Sequence, residues 1–421
     1  MTMVTVAQGA TWAISAIAAG GVIGRPWRLP EAVWAVLGAA VLMALALVPW
    51  PNALRAVGRG TDVYLFLTGM MLLAELARSE GVFDWLAALC AKQARGSAHR
   101  LFALVFVVGT VVTVLLSNDA TAVVLTPTVY AVARAAAAEP LPYLFACAFI
   151  ANAASFVLPI SNPANLVVFD GRLPPLSSWL AQFAVPSILA IGATYAMLRL
   201  SQRKALRQPI VRRVAVPVLS STGRLTLCSI GLAAAILLGA SALGFRLGLP
   251  TALAGALTAF LVLLSQLQAP WNLLKNISWS VLPLVAGLFV LVEGLARTGV
   301  TRELSETIQA ASEHPLTVTT WAAGGITAIA CNLLNNLPVG LIVGSAATAG
   351  PLSPPFAGAL LIGVDLGPNL SVTGSLATIL WLAALRREGI NIGAWRFLRI
   401  GALVTAPSLL FALAGLLAGH A

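Results

Sequence analysis

The sequence predicts an all-α polytopic membrane protein built as an inverted-topology repeat. Three observations carry this expectation. Only 9% of the 421 residues are charged and mean hydropathy is +0.93, whereas a soluble chain carries about 25% charge. Apolar runs close to the length of a bilayer-crossing helix recur from end to end. Landmarks of the first half return 218 residues later: "GMMLLAE" at 69–75 against "GLFVLVE" at 287–293, and "SN" at 117–118 against "NN" at 335–336.

Full spans are predicted at residues 4–24, 31–50, 61–78, 141–169, 176–200, 225–243, 249–267, 281–297, 354–385 and 397–418. The first lacks a basic leader and a cleavage site, so it reads as a span rather than a signal peptide. Segments 80–95 and 299–314 mix charged with apolar residues and read as interfacial amphipathic helices. An apolar block interrupted by Asn follows each of them, at 101–137 and 316–350. Such a block is too long for one span. Two short helices that enter and leave by the same face fit it better, a re-entrant hairpin that survives only inside protein or beside a wet cavity. The long spans 141–169 and 354–385 carry breaks of their own. Pro159 and Pro163 interrupt the first, and Gly367, Pro368 and Gly374 the second, freeing backbone carbonyls. Each half therefore has five spans, a re-entrant hairpin and a broken helix facing the hairpin tip. The expected units are 1–200, a linker 201–224, and 225–421.

Basic residues set the orientation. The stretch 199–224 holds seven Lys and Arg and no acid, so it is expected to be cytoplasmic. Five crossings per half is an odd number. The halves then insert upside down relative to each other, with both termini outside, a plan shared by many secondary transporters. The net charge of +11 lies mainly in loops and reads as topology, so no nucleic acid partner is expected. Cys90, Cys147, Cys228 and Cys331 are far apart, without metal-ligand spacing, and the histidines at 99, 314 and 420 fall in loops or at the terminus. No cofactor, metal or catalytic constellation is expected.

The breaks collect polar residues at mid-membrane. Ser117, Asn118 and Asp119 are N-cap types for the second arm of the first hairpin, and Thr121 follows them. In the second hairpin Asn335 and Asn336 take that place, with Pro338 in the first turn. Ser161, Asn162 and Asn165 sit in the first broken helix, and Asn369, Ser371, Thr373 and Ser375 in the second. Amides, hydroxyls, freed carbonyls and helix ends at that depth are what carriers use to hold substrates and ions, so all of these are candidate substrate ligands. Taken singly, each is also readable as a cap that satisfies freed backbone groups. Asp119 and Asp365 are the acids placed deep in the membrane, at a cost of ~3 kcal/mol unless paired or protonated, and are candidates for proton coupling. Asp365 is also placed to accept from backbone N–H groups near its break. Glu75 and Glu293 stand three and four residues before Arg78 and Arg297, so pairs within one helix are predicted for them.

These motifs resemble a known family. "SNDATAVVLTP" (117–127) is similar to the hairpin tip of the ion transporter superfamily. "CNLLNNLPVGLIVG" (331–344) and "DLGPNLSVTGSLATILWLAALRREGI" (365–390) resemble the ArsB-type arsenite/antimonite permeases within it. The family's Asn-Asp tip, Ser-Asn break, Asn-Asn-Leu-Pro tip and Asp-Leu-Gly-Pro break match Asn118–Asp119, Ser161–Asn162, Asn335–Pro338 and Asp365–Thr378 in order. The resemblance implies a multi-pass carrier of the inner (plasma) membrane, not an enzyme. It would export arsenite or antimonite against protons, and some family members work with an ArsA-type ATPase. The first tip reads Ser-Asn-Asp-Ala-Thr where the family has Ala-Asn-Asp-Gly-Ala. That leaves open a sodium/proton antiporter or a sodium-coupled anion transporter of the same superfamily. The "NNLP" tip differs from the Ser-Asn-Thr tips of carboxylate importers.

Overall fold

The computed structural model describes residues 6–169, 173–212, 214–267, 269–312, 316–347 and 352–419, and every regular element among them is helical. The first half runs α1 (Val6–Gly24), α2 (Glu31–Ala44), α3 (Trp50–Arg59), α4 (Thr61–Ser79), α5 (Val82–Ala94), α6 (Ala98–Leu115), α7 (Asn118–Ala120), α8 (Thr126–Ala135), α9 (Leu141–Ala153), α10 (Pro163–Val168) and α11 (Leu176–Ser201). A single turn, α12 (Arg203–Leu206), lies in the linker. The second half runs α13 (Ser221–Ala242), α14 (Gly248–Gln266), α15 (Trp271–Asn276), α16 (Val281–Arg297), α17 (Val300–Ser312), α18 (Leu316–Leu334), α19 (Asn336–Ala347), α20 (Pro354–Leu366), α21 (Leu376–Arg387) and α22 (Ala394–Ala418). Helix α17 begins 218 residues after α5, α19 after α7, and α22 after α11. In the broken helices the offset shortens to 213, from α9 to α20 and from α10 to α21.

Among the described residues, 7 helices are long and apolar enough to cross a membrane, and 8 if α3 and α4, bent by 47°, form one span. The segment 31–50 differs from its prediction. Its helix stops at Ala44, 14 residues long and so about 21 Å, short of the ~30 Å hydrocarbon core. Ala46 adopts φ 55 and Pro49 precedes a new helix, α3. Greasy composition continued through a turn. The hairpin arms also exceed the two short helices expected. Helix α6 has 18 residues and α18 has 19, each long enough by length and composition to cross. The last residues of the predicted hairpin 316–350, from 348 on, lie outside the described residues.

The halves interlock through small residues. Helix α4 crosses α14 at Gly69, where a Cβ would stand 2.1 Å from the Thr251 carbonyl oxygen, and Gly255 faces it, 2.6 Å from the Gly69 oxygen by the same test. The counterpart crossing sets α16 on α2, with Gly287 against the Ala35 backbone at 2.7 Å. Membrane helices attract through close backbone approach, which these glycines allow. Gly69→Val should therefore force the helices apart at a cost of ~1–3 kcal/mol or more, seen as a lower melting temperature of the detergent-solubilised protein. Helices α11 and α22 pair side by side, tied by the Thr194 and Ser408 hydroxyls at 2.9 Å. Aromatic rings brace both broken helices. Trp179 Nε1 donates to the Phe156 carbonyl at 3.1 Å, and Trp381 Nε1 to the Leu144 carbonyl at 3.0 Å.

Candidate functional site

The first hairpin turns at Leu116–Ser117. Thr113 and Thr121 share a hydrogen bond of 2.8 Å across the arms, and a Cβ on Gly109 would touch Thr121 and Leu125. Ser117 caps the second arm by accepting from the Ala120 N–H at 3.2 Å. Asn118 Oδ1 accepts from the Asp119 N–H at 2.9 Å, and the half-buried Asp119 carboxylate lines the space beside the tip. The second hairpin turns at Asn335, which adopts the left-handed φ 73 that Asn tolerates. Its Nδ2 donates to the Thr373 carbonyl at 3.1 Å and its Oδ1 accepts from Leu337 N. The Asn336 N–H donates to the Gly374 carbonyl at 2.9 Å, while its buried Oδ1 has no partner.

The two broken helices hold each other crosswise. Asn162 caps α10, accepting from Ala164 N, and its Nδ2 donates to Asp365 Oδ1 of the other half at 2.7 Å. Ser375 caps α21, accepting from Thr378 N, and its hydroxyl donates to Asn152 Oδ1 of the other half at 3.2 Å. Asn162 and Ser375 are 213 residues apart, as are Asn152 and Asp365. One cross-link ends on an amide and the other on a carboxyl of the same shape. Asn152 Nδ2 also donates to Asn369 Oδ1 at 2.9 Å and to the Thr378 hydroxyl at 3.3 Å, and Asn369 Nδ2 to the Phe149 carbonyl at 3.1 Å. Asn165 returns three freed carbonyls to hydrogen bonds, those of Ser155, Leu158 and Pro159. Broken backbone at this depth is thus satisfied by side-chain amides, as a low-dielectric interior requires.

Tips and breaks meet around one small central pocket, about 10 Å³, into which Asn118, Asp119, Asn162 and Asn336 reach. It shares Leu67, Asp119, Pro163 and Val281 with a larger cavity of about 80 Å³, which Ser117, Glu75 and Ser278 also line. That cavity runs toward the C-terminal end of α4. There Glu80 accepts from Gln266 Nε2 at 2.7 Å and from the Thr222 hydroxyl beside the linker.

The remaining candidates stand elsewhere. Thr121 faces α6, fully buried between the hairpin arms. Ser161 donates to the Val114 carbonyl at 3.1 Å and ties the break to the hairpin. Asn165, Asn335, Asn369 and Ser375 hold the tips and breaks together through the bonds given above and do not line the pocket, and the Ser371 and Thr373 hydroxyls stand 3.4 Å apart in the second break. Asp365 does not line the pocket. It lies behind Asn162 and takes that amide in place of the backbone N–H groups expected, with its Oδ2 unpartnered. Glu75 pairs with Arg78 at 2.5 and 2.7 Å as predicted. Glu293 does not pair with Arg297; Arg59 of the other half reaches it at 2.6 Å. Cys147 and Cys331 are buried and free. Asn152 is a ligand of the breaks that sequence reasoning misses. A lone Asn in "FIANAASF" carries no flanking Gly or Pro, and only the 213-residue offset pairs it with Asp365.

Comparison with known proteins agrees with this architecture. The family model described as "Citrate transporter", CitMHS, matches residues 14–363. The arsenical pump membrane protein of Escherichia coli (strain K12) is 27% identical over 417 residues, covering 94% of this chain and 95% of the relative. That of Yersinia enterocolitica is 28% identical over 359 residues, covering 82% and 84%. An uncharacterized transporter of Mycobacterium tuberculosis, Rv2684, is 25% identical, covering 91% and 92%. The crystal structure of the YdaH transporter of Alcanivorax borkumensis superposes with a TM-score of 0.58 at 15% identity, covering 91% of this chain and 96% of that one, which relates the folds. With a family model spanning most of its length, apolar helices throughout and polar breaks meeting at its centre, this chain belongs to the CitMHS citrate transporter family and is a multi-pass membrane transporter.

Proposed function

We propose that the protein is a secondary carrier that exports arsenite and antimonite from the cytoplasm in exchange for protons. The lining of the central pocket carries this reading: the amides of Asn118, Asn162 and Asn336, the Asp119 carboxylate, and no Lys or Arg among the described residues. A neutral trihydroxide needs donors and acceptors together, which amides supply, and no counter-charge. A citrate-like anion would meet a carboxylate there and no cation. The relatives named as arsenical pumps support the same cargo. Asp119 is the proton carrier in this reading, and Asp365 takes part in coupling by holding the Asn162 amide.

The halves 1–200 and 225–421 cross with opposite orientation, each hairpin entering and leaving by one face. The linker 201–224 lies in the cytoplasm, with both termini outside the inner membrane. Its uncompensated Lys and Arg support this. A cysteine introduced as Arg212→Cys, in a Cys228→Ser background, should react with an impermeant thiol reagent only after permeabilisation. Reaction in intact cells would reverse the orientation.

Everted vesicles bearing the protein should accumulate arsenite when a proton gradient is imposed and lose it when the gradient is dissipated. A sodium-coupled anion carrier or sodium/proton antiporter is the second reading, favoured by the description of the family model and by the Ser-Asn-Asp-Ala-Thr tip. It takes over if arsenite uptake is absent and a sodium gradient drives transport instead. Co-expression with an ArsA-type ATPase tests that partner: a lower residual arsenite level than with the carrier alone would establish it.

A further inference from the structure

A separate, much larger cavity opens at the N-terminal end of α4, about 660 Å³, lined by Asn52, Arg55, Arg59, Asp62, Arg246 and Glu293 among others. Helix α4 is 19 residues long, so this vestibule lies about 27 Å from the linker end. Its charges do not cancel. Arg59 and Glu293 neutralise each other at 2.6 Å. Arg55 is steered by its own helix, donating to Asn52 Oδ1 at 3.2 Å and to the Pro51 carbonyl at 3.4 Å. Arg246 is exposed, makes no ion pair among the described residues, and acts on Asp62 through its charge. Two guanidiniums thus face one carboxylate. That carboxylate is itself incomplete. Asp62 is only 8% exposed, its Oδ1 accepts from the Gly248 N–H at 3.0 Å, and its Oδ2 is buried without a partner.

We propose that this vestibule binds a phosphate-type oxyanion that brings its own hydrogen-bond donor. Arg55 and Arg246 take the anionic oxygens, as guanidinium forks do. Asp62 Oδ2 accepts the donor, a hydroxyl in the case of hydrogen phosphate. Sulfate has the same size and negative charge and no hydroxyl at neutral pH, so it would set a bare oxygen against Asp62. Discrimination then comes from repulsion as much as attraction.

Calorimetric titration of the detergent-solubilised full chain with inorganic phosphate and with sulfate at pH 7 tests this. Phosphate should bind at least about tenfold more tightly, the scale of one charge-assisted hydrogen bond. Asp62→Asn keeps an oxygen for the Gly248 N–H and can offer N–H groups where Oδ2 stood. It should raise sulfate affinity and erase the preference. Arg246→Ala, at an exposed side chain, should weaken phosphate about tenfold. Equal binding of the two anions, no binding of either, or an unchanged preference in Asp62→Asn would overturn the proposal. Should Asp62→Asn fail to fold, unchanged phosphate binding in Arg246→Ala overturns it alone. A lipid headgroup with a phosphate and an ammonium offers the same chemistry. Phosphate blocked in phosphatidylethanolamine nanodiscs and free to bind in phosphatidylcholine nanodiscs would assign the site to that headgroup; binding in both would assign it to the free anion.

Discussion

Asp119→Asn is expected to reduce arsenite export driven by a proton gradient to the level of passive leak. Exchange for a proton needs a group that gains and loses one while in contact with the cargo site. Asp119 is the carboxylate that reaches the central pocket, and it also lines the cavity that leads from it. The amide has the same shape and cannot titrate. Because the backbone bond from Asp119 N to Asn118 Oδ1 does not use the replaced side chain, the tip should keep its form. Arsenite binding should change by less than about tenfold, the worth of one neutral hydrogen bond. The informative comparison is uphill transport in vesicles against equilibrium binding in detergent. A variant that still pumps arsenite on a proton gradient would move coupling away from this residue. Asp365→Asn should do less, because an amide can still present an oxygen to Asn162 Nδ2.

Asn336→Leu should reduce transport on the order of 10- to 100-fold, the worth of one or two hydrogen bonds to the cargo in a desolvated pocket. Its melting temperature should stay unchanged or rise slightly. The Asn336 side-chain oxygen is buried without a protein partner, and the bond that fixes the tip comes from its backbone N–H to Gly374. The fold therefore asks nothing of that oxygen. The adjacent Asn335→Leu should do the opposite. That position has φ 73, holds the Thr373 carbonyl and caps Leu337, so the variant should melt lower and insert poorly. Melting and vesicle transport measured on both variants separate cargo contact from capping. If Asn336→Leu melts as Asn335→Leu does, Asn336 is a cap and has no place in the cargo site.

Much of the architecture is legible in composition and spacing because the bilayer constrains both. A span must be apolar along its length, and an interruption in lipid must carry its own hydrogen-bonding side chains. Those demands leave local marks: the runs, the Asn-rich tips and the Pro and Gly breaks. Hydropathy failed at 31–50 for the same reason it succeeded elsewhere. It sums residue character, and the left-handed Ala46 with Pro49 behind it turns the chain without making it polar.

Residue type and position along the chain thus determined that the protein crosses the membrane repeatedly and is polar at its centre, in four breaks. They did not determine which of the polar residues meet a substrate. A cap and a cavity ligand are the same chemical group, an amide or hydroxyl at a helix end, and differ only in what lies opposite. For Thr121 that is Gly109 and Thr113 on the neighbouring arm, for Asn165 it is the carbonyls of its own break, and for Asn162 it is Asp365 and the pocket. Several partners lie roughly two hundred residues away, as Asn152 does from Ser375 and Arg59 from Glu293. Only the tertiary fold brings such pairs within hydrogen-bonding distance, so only it could divide the polar residues into those that close the breaks and those left facing the pocket.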